Sequence, residues 1–224
     1  MFTDIVTIKM SAKQTQTKLK NWQPDPDITP KALDAMRVEV LDRIIVARVG
    51  LLLRHPFFGN MATRLKIQPA DEWLGTAAVD GRNLYFNTQF FNAMDNKEIE
   101  FVIAHEILHM VFDHLGRRDD RNPMIYNIAA DYIVNNLLVR DRIGKKPSIV
   151  DCFQDFKYEN WSSEDVYDDI YLKRNATALL KRQWGANLSK FAGVTMLGGV
   201  TMNGETIFTP VSYTHLTLPT TPYV

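Results

Sequence analysis

The chain has a single cysteine among its 224 residues, equal numbers of basic and acidic side chains, and no long apolar run. Each shortage excludes something. One thiol, Cys152, cannot make an intramolecular disulfide, and its isolation points to a reducing compartment. The longest apolar stretch, 44–53, is interrupted by Arg48 and falls well short of the ~20 residues a spanning helix needs. The first twenty residues lack the apolar core of a secretory leader. A cytoplasmic protein is the expectation. With 26 basic and 26 acidic residues, no bulk charge draws the chain to nucleic acid or to an anionic membrane. There is no internal repeat, no phosphate-cradling glycine loop and no basic–aromatic patch. What is present is ordinary for a globular fold: 46% hydrophobic residues, enough for one domain with a real core.

One segment stands apart from this background. His105-Glu106-Ile107-Leu108-His109 sets two imidazoles four residues apart. On an α-helix such residues share a face, so both rings can reach one metal ion. Glu106 is turned about 100° from His105. It can lean over the metal without ligating it and take a proton from water activated there. This is the His-Glu-x-x-His arrangement of zinc peptidases. The surrounding residues, Ile103, Ala104, Ile107, Leu108, Met110 and Val111, are uncharged, as a buried helix at the floor of a cleft requires. Asp95 and Glu98 supply a capping-box start. The plain alternative is a core helix with two satisfied histidines, although two His and a Glu are costly to bury without a partner.

A four-coordinate catalytic zinc needs a third protein ligand and one open position. His114 is one candidate. Nine residues after His105, it belongs on the opposite side of a continuous helix, and the first residue that could break that helix is Gly116. Asp131 is the other. Asn122-Pro123 opens a second helix, and Asp131 sits in its middle, where Asp is a poor helix former. Ala129 and Ala130 would let the two helices approach closely. Asp131 could instead orient one of the histidines from outside the ligand set, and His114 could do the same or sit at a helix end. Asn127 and Asn135 share the face of Asp131 and could hydrogen-bond the ligands.

The segments HEILHMVFDH and NIAADYIVN, with VDGRNLYFN before them and SSEDVYDDI after them, resemble a metallopeptidase domain. In bacterial and phage proteins that domain often precedes a von Willebrand factor A-like domain. The likeness covers roughly residues 33–172. It implies a zinc-dependent hydrolase of the zincin type, with His105 and His109 as ligands and Glu106 as general base. The spacing to Asp131 resembles the gluzincin layout, in which an acidic ligand comes from the next helix. That layout commonly uses Glu, one methylene longer than the Asp found here.

The expected architecture is α+β: a mainly helical, zincin-like domain with a small β-hairpin or sheet beside the active-site helix. We divide the chain into a polar N-terminal arm (1–28), this domain (29–183), a Gly-rich linker or truncated segment (184–210) and a tail (211–224). Val211 to Thr220 resembles translated sequencing adapter. On that reading the natural chain continues past about Pro210, and His215 is left out of any ligand count. Thr29 and Pro30 open a long helix that Pro56 stops, with His55 as a helix-end residue. Asp80-Gly81 marks a hairpin between 76–79 and 83–87. By resemblance this hairpin offers the edge strand along which an extended substrate would lie. Ser163 is expected to cap a later helix, and Cys152 to be incidental.

The expected activity is peptide-bond hydrolysis with Zn2+ held by His105, His109 and Asp131, and with His114 as the alternative third ligand. Tyr126, Tyr132 and Arg118 are candidate donors to the developing oxyanion. The expected partners are a peptide or protein substrate and a von Willebrand factor A-like domain beyond the C-terminus, with no nucleic acid and no membrane. The alternative is a catalytically silent metal-binding scaffold acting with a partner. A hydrolase of a non-peptide bond is a weaker third reading.

Overall fold

Thr29 begins the first long helix as its sequence requires. Its hydroxyl accepts the N–H of Ala32 at 3.4 Å, and Pro30 occupies the first turn, where no N–H is needed. The computed structural model describes residues 22–189. Helix α1 (Pro30–Arg54) buries Val40, Ile44, Ala47 and Leu51, one helical stripe. Pro56 ends it and also opens a second helix, α2 (Pro56–Arg64), which the sequence reading leaves unassigned. Gly59 lets α2 cross α1, because a Cβ there would lie 2.1 Å from the Leu52 Cα.

Three short strands follow: β1 (Lys66–Pro69), β2 (Ala77–Val79) and β3 (Asn83–Phe86). Their order is β1-β3-β2, with β1 parallel and β2 antiparallel to β3. The hairpin stands where Asp80-Gly81 predicts it. Gly81 takes a φ of +88°, and the Asp80 carboxylate accepts the N–H groups of Arg82 and Asn83 at 2.8 and 2.6 Å. The edge strand β2 packs against the helix that carries the histidines.

Helix α3 (Thr88–Asn92) leads into α4 (Asn96–Val111). The capping box forms in full: the Asp95 side chain accepts from Lys97 and Glu98, and Glu98 reaches back to the Asp95 N–H. Helix α5 (Pro123–Arg140) starts on Asn122, as the sequence indicates, and packs on α4, with Val134 and Leu138 in the shared core. Ile99, Ile103 and Ile107 of α4 join Leu84, Phe86 and Phe91 in one core. The fold is α+β and mainly helical, with the small sheet beside α4.

Of the N-terminal arm, residues 22–28 are described, and they dock. Trp22 meets Phe90 edge-on with centroids 5.1 Å apart, and the Asp25 N–H donates to Gln89 Oε1 at 2.6 Å. The last described element is α6 (Ser163–Ser189). It runs through Trp184 and Gly185 into the stretch read as linker, since one Gly costs a helix only about 1 kcal/mol. Two compact units are distinguished, 1–167 and 168–224, and the candidate site belongs to the first. The adapter-like segment and His215 lie outside the described residues, as do 1–21 and the rest of the linker. Among the described residues no helix is long and apolar enough to cross a membrane.

Candidate metal centre

The packing of α5 on α4 decides which residues of α4 face α5. His105 and His109 share that face. Across from them Asp131, in the middle of α5, completes a triangle. His105 Nε2 and His109 Nε2 lie 3.0 Å apart, and Asp131 Oδ1 lies 3.6 and 3.3 Å from them. All three side chains are about a fifth exposed, at 19%, 17% and 19%. A tetrahedral zinc with arms of about 2.0–2.1 Å has ligand-to-ligand edges of about 3.3 Å. The three measured edges bracket that value. Two imidazole nitrogens and one carboxylate oxygen are also the donor set that zinc accepts in catalytic sites. By contrast, an open depression lined by Phe101, Leu138, Ile143 and Lys146 includes none of the three.

The partners behind the triangle orient it. Asn135 Nδ2 donates to the Phe153 carbonyl at 2.9 Å, which turns its Oδ1 toward His105 Nδ1 at 3.0 Å. His105 therefore carries a hydrogen on Nδ1, and its neutral ring presents a lone pair at Nε2. His109 has another histidine behind it: His114 Nδ1 lies 3.1 Å from His109 Nδ1, and His114 Nε2 lies 2.9 Å from Ser163 Oγ. Asn127 Nδ2 reaches Asp131 Oδ2 at 3.5 Å. Both asparagines singled out in the sequence are thus engaged, and Asn135 holds His105 rather than Asp131.

The expectation that His114 lies across a continuous helix is corrected. Helix α4 ends at Val111, before any Gly or Pro. Asp113 takes a φ of +48°, and the His114 N–H donates to the His109 carbonyl at 3.1 Å, folding the chain back. Aspartate is among the few non-glycine residues that reach the left-handed region readily. His114 therefore touches His109, but on the ring nitrogen that faces away from Asp131.

Charge around the cluster follows from burial and pairing. Burial acts to lower the His105 pKa. The Asp131 carboxylate, with the Glu106 charge and the Asn135 hydrogen bond, outweighs it and leaves the pKa raised. Burial likewise acts to raise Asp131, but the two imidazoles hold its carboxyl well below the usual carboxylate range. His114 is only 6% exposed, and burial, with the charges of His109 and Arg117, pushes it down to about 3. It stays neutral, so it is not a cation at a helix end. Glu106 is partly buried and takes no hydrogen bond or ion pair among the described residues. Its charge is nevertheless felt at His105.

Several other expectations find their place here. Tyr126 is buried and donates its hydroxyl to Glu164 Oε1 at 3.2 Å. Burial, with the Glu164 charge, pushes its pKa up to about 12. Tyr132 stacks with Phe153 and Tyr158, and Arg118 sits in a 3-10 turn, Gly116–Arg118. Cys152 is a free thiol that burial pushes up to about 11, so it stays protonated. His55 lies between α1 and α2, away from the cluster.

A family model described as "Putative metallopeptidase domain" matches residues 42–197. The chain belongs to this family. The match takes in both helices of the cluster and more than half of the sequence. Neither a curated protein nor a solved structure matches the chain. Membership makes this a domain of the metal-dependent hydrolase type, and the described residues hold one group suited to a divalent ion, His105, His109 and Asp131.

Proposed function

We propose that the protein is a zinc-dependent peptidase, with His105, His109 and Asp131 as the metal ligands and Glu106 as the general base. The observation that carries this reading is the triangle of acceptors. The neutral His105 ring presents a lone pair at Nε2, Asp131 is an anion, and both face His109 Nε2 within 3.6 Å. Acceptors converged this closely repel one another unless a cation or a proton lies between them.

A zinc ion held there would act as a Lewis acid, acidifying water and polarising a carbonyl oxygen. The remaining work falls to the chain. Glu106 has no partner among the described residues, so its carboxylate is available to accept a proton and to return it to the leaving amine. His105 and His109 are held from behind by Asn135 and His114, which keeps their reactive nitrogens aimed at one point. Asp131 supplies the negative charge that makes the ligand set favour a divalent ion over water alone.

The hairpin supports an extended peptide as substrate. On either side of β2, the Thr76 carbonyl accepts the Asn87 N–H and the Asp80 N–H donates to the Asn83 carbonyl. Antiparallel pairs alternate, so the N–H and C=O groups of Ala77 and Val79 turn to the open edge. A peptide added there would gain main-chain hydrogen bonds beside α4. A silent metal-binding scaffold would hold the ion equally well and would not need an unpaired Glu106.

The deciding experiment is elemental analysis of the purified full chain, together with peptide hydrolysis. Wild type should carry one equivalent of zinc and cleave an unstructured peptide. Asp131→Ala should lose the metal, and His114→Ala should keep it with weakened affinity. A wild-type protein that takes up no zinc would remove the proposal. Zinc uptake with no hydrolysis of any peptide would favour the scaffold.

A further inference from the structure

Two serines stand side by side where α6 begins, and a helix needs one cap. Ser162 takes that role. Its hydroxyl accepts the Asp165 N–H at 3.1 Å and donates to Asp165 Oδ2 at 2.7 Å, and its carbonyl accepts the Val166 N–H at 3.1 Å. The expectation that Ser163 is the cap is therefore corrected. Ser163 is the first helical residue, it is 3% exposed, and its hydroxyl faces His114 Nε2. A buried hydroxyl freed from capping and aimed at a buried imidazole calls for a reason.

A continuous line of hydrogen bonds supplies it. Ser163 Oγ, His114, His109, His105, Asn135 and the Phe153 carbonyl follow one another at 2.9, 3.1, 3.0, 3.0 and 2.9 Å. The far end has only one sense, because Asn135 must donate to the carbonyl and accept from His105 Nδ1. In the metal-free protein the rest can follow with every donor used once. The Ser163 hydroxyl donates to His114 Nε2, His114 Nδ1–H to His109 Nδ1, and His109 Nε2–H to His105 Nε2. A cation between His105 and His109 breaks the middle bond, because both Nε2 atoms must then present lone pairs.

We infer that Ser163 and His114 are a reversible positioning pair for His109, and that their hydrogen bonds change direction when the ion binds. In the loaded state His109 Nδ1–H donates to His114 Nδ1, and His114 Nε2–H donates to Ser163 Oγ. Each of the two rings gives up a hydrogen at one nitrogen and takes one at the other. Both stay neutral, and the pair neither gains nor loses a net proton. A hydroxyl suits the end of this line because it both donates and accepts, whereas a carbonyl or carboxylate would allow one sense alone. Asn135, by the same logic, locks His105 in a single tautomer, so the two histidines respond differently to the same ion.

This inference rests on the proposed ligand set, and the test separates the two. The full chain, labelled with 15N, is compared metal-free and zinc-loaded by long-range 1H–15N correlation of the imidazoles, at a pH where they are neutral. The expected result is His109 changing from Nε2–H to Nδ1–H, His114 changing the opposite way, and His105 keeping Nδ1–H throughout. Zinc uptake with His109 and His114 unchanged would overturn the relay and leave the ligand set standing. Failure to take up zinc would overturn both. A second arm needs no spectrum. Ser163→Ala should weaken zinc binding by about tenfold, because it leaves a buried N–H unpaired in the loaded state, a rarer defect than a bare acceptor. Ser163→Thr should restore the affinity, and Ser162→Ala, which removes only the cap, should leave it unchanged. Equal zinc affinity of wild type and Ser163→Ala would count against the pair.

Discussion

The two halves of α4 handle buried polar groups in opposite ways. In the first half, Glu98 and Glu100 are 2% and 3% exposed, yet every carboxylate oxygen has a donor. Glu98 accepts from the N–H groups of Asp95 and Ser148, each at 2.9 Å, with Lys145 Nζ at 3.4 Å. Glu100 pairs with Arg54 and, at 3.0 Å, with Lys97. In the second half, the Nε2 atoms of His105 and His109 lie 3.6 and 3.3 Å from the Asp131 carboxylate, and among the described residues no lysine or arginine pairs with any of the three. The first arrangement is closed and holds the fold together. The second is open at its centre and is suited to hold something else. Buried charge alone does not mark a functional site. An excess of acceptors over donors does.

Substitutions can break this comparison, and the largest effect belongs to the open half. Glu106→Gln should retain zinc and lose peptide turnover by about 10²–10⁴-fold, the usual range for a general base. Steady-state hydrolysis beside a metal assay checks it, and a Gln variant that keeps full activity would end the case for Glu106. Next comes a crossed pair of variants. Asp131→Asn should cost zinc affinity at least tenfold with little change in the metal-free melting temperature. Glu100→Gln should do the reverse, destabilising by about 1–3 kcal/mol with unchanged zinc affinity. Parallel effects of the two variants would mean that the halves do not differ. Zinc at a hundred times its Kd should add about 2.7 kcal/mol to unfolding stability, removed by chelator.

Acid sharpens the same contrast. His114 is held neutral down to about 3, while in the unfolded chain its imidazole takes up a proton near 6.5. The unfolded state then binds more protons at this group between these values, so the contribution of His114 to metal-free stability is full above about 6.5 and is lost as pH falls toward about 3. His114→Gln should flatten that part of the curve in urea unfolding measured across pH. Smallest is Asp95→Ala, which should cost about 1 kcal/mol through the cap and leave the metal site intact.

Local chemistry makes much of this legible in the sequence. Asp95 with Glu98, Asn122 with Pro123 and Thr29 with Pro30 each act within three or four residues, and each sits where it was read. The hairpin follows from Asp80-Gly81 for the same reason. Helix α2 is not legible in the sequence, because Pro56 reads equally as the end of one helix and the start of another, and only the crossing at Gly59 gives the second helix something to pack on. Nothing in the letters says that Asp113, rather than Gly116, turns left-handed and brings His114 back to His109. In Ser162-Ser163 either residue can serve as the cap, and the letters do not choose between them.

The spacing in His105-Glu106-x-x-His109 by itself put two imidazoles on one helical face, because a period of 3.6 residues leaves no other choice. It could not say which distant side chain closes the triangle. Only the packing of α5 on α4 brings Asp131 within 3.6 Å of both rings, and only the fold-back at Asp113 and the start of α6 put His114 and Ser163 behind His109. Contacts between residues far apart in the chain depend on how whole helices fit together, and no short-range rule carries that information.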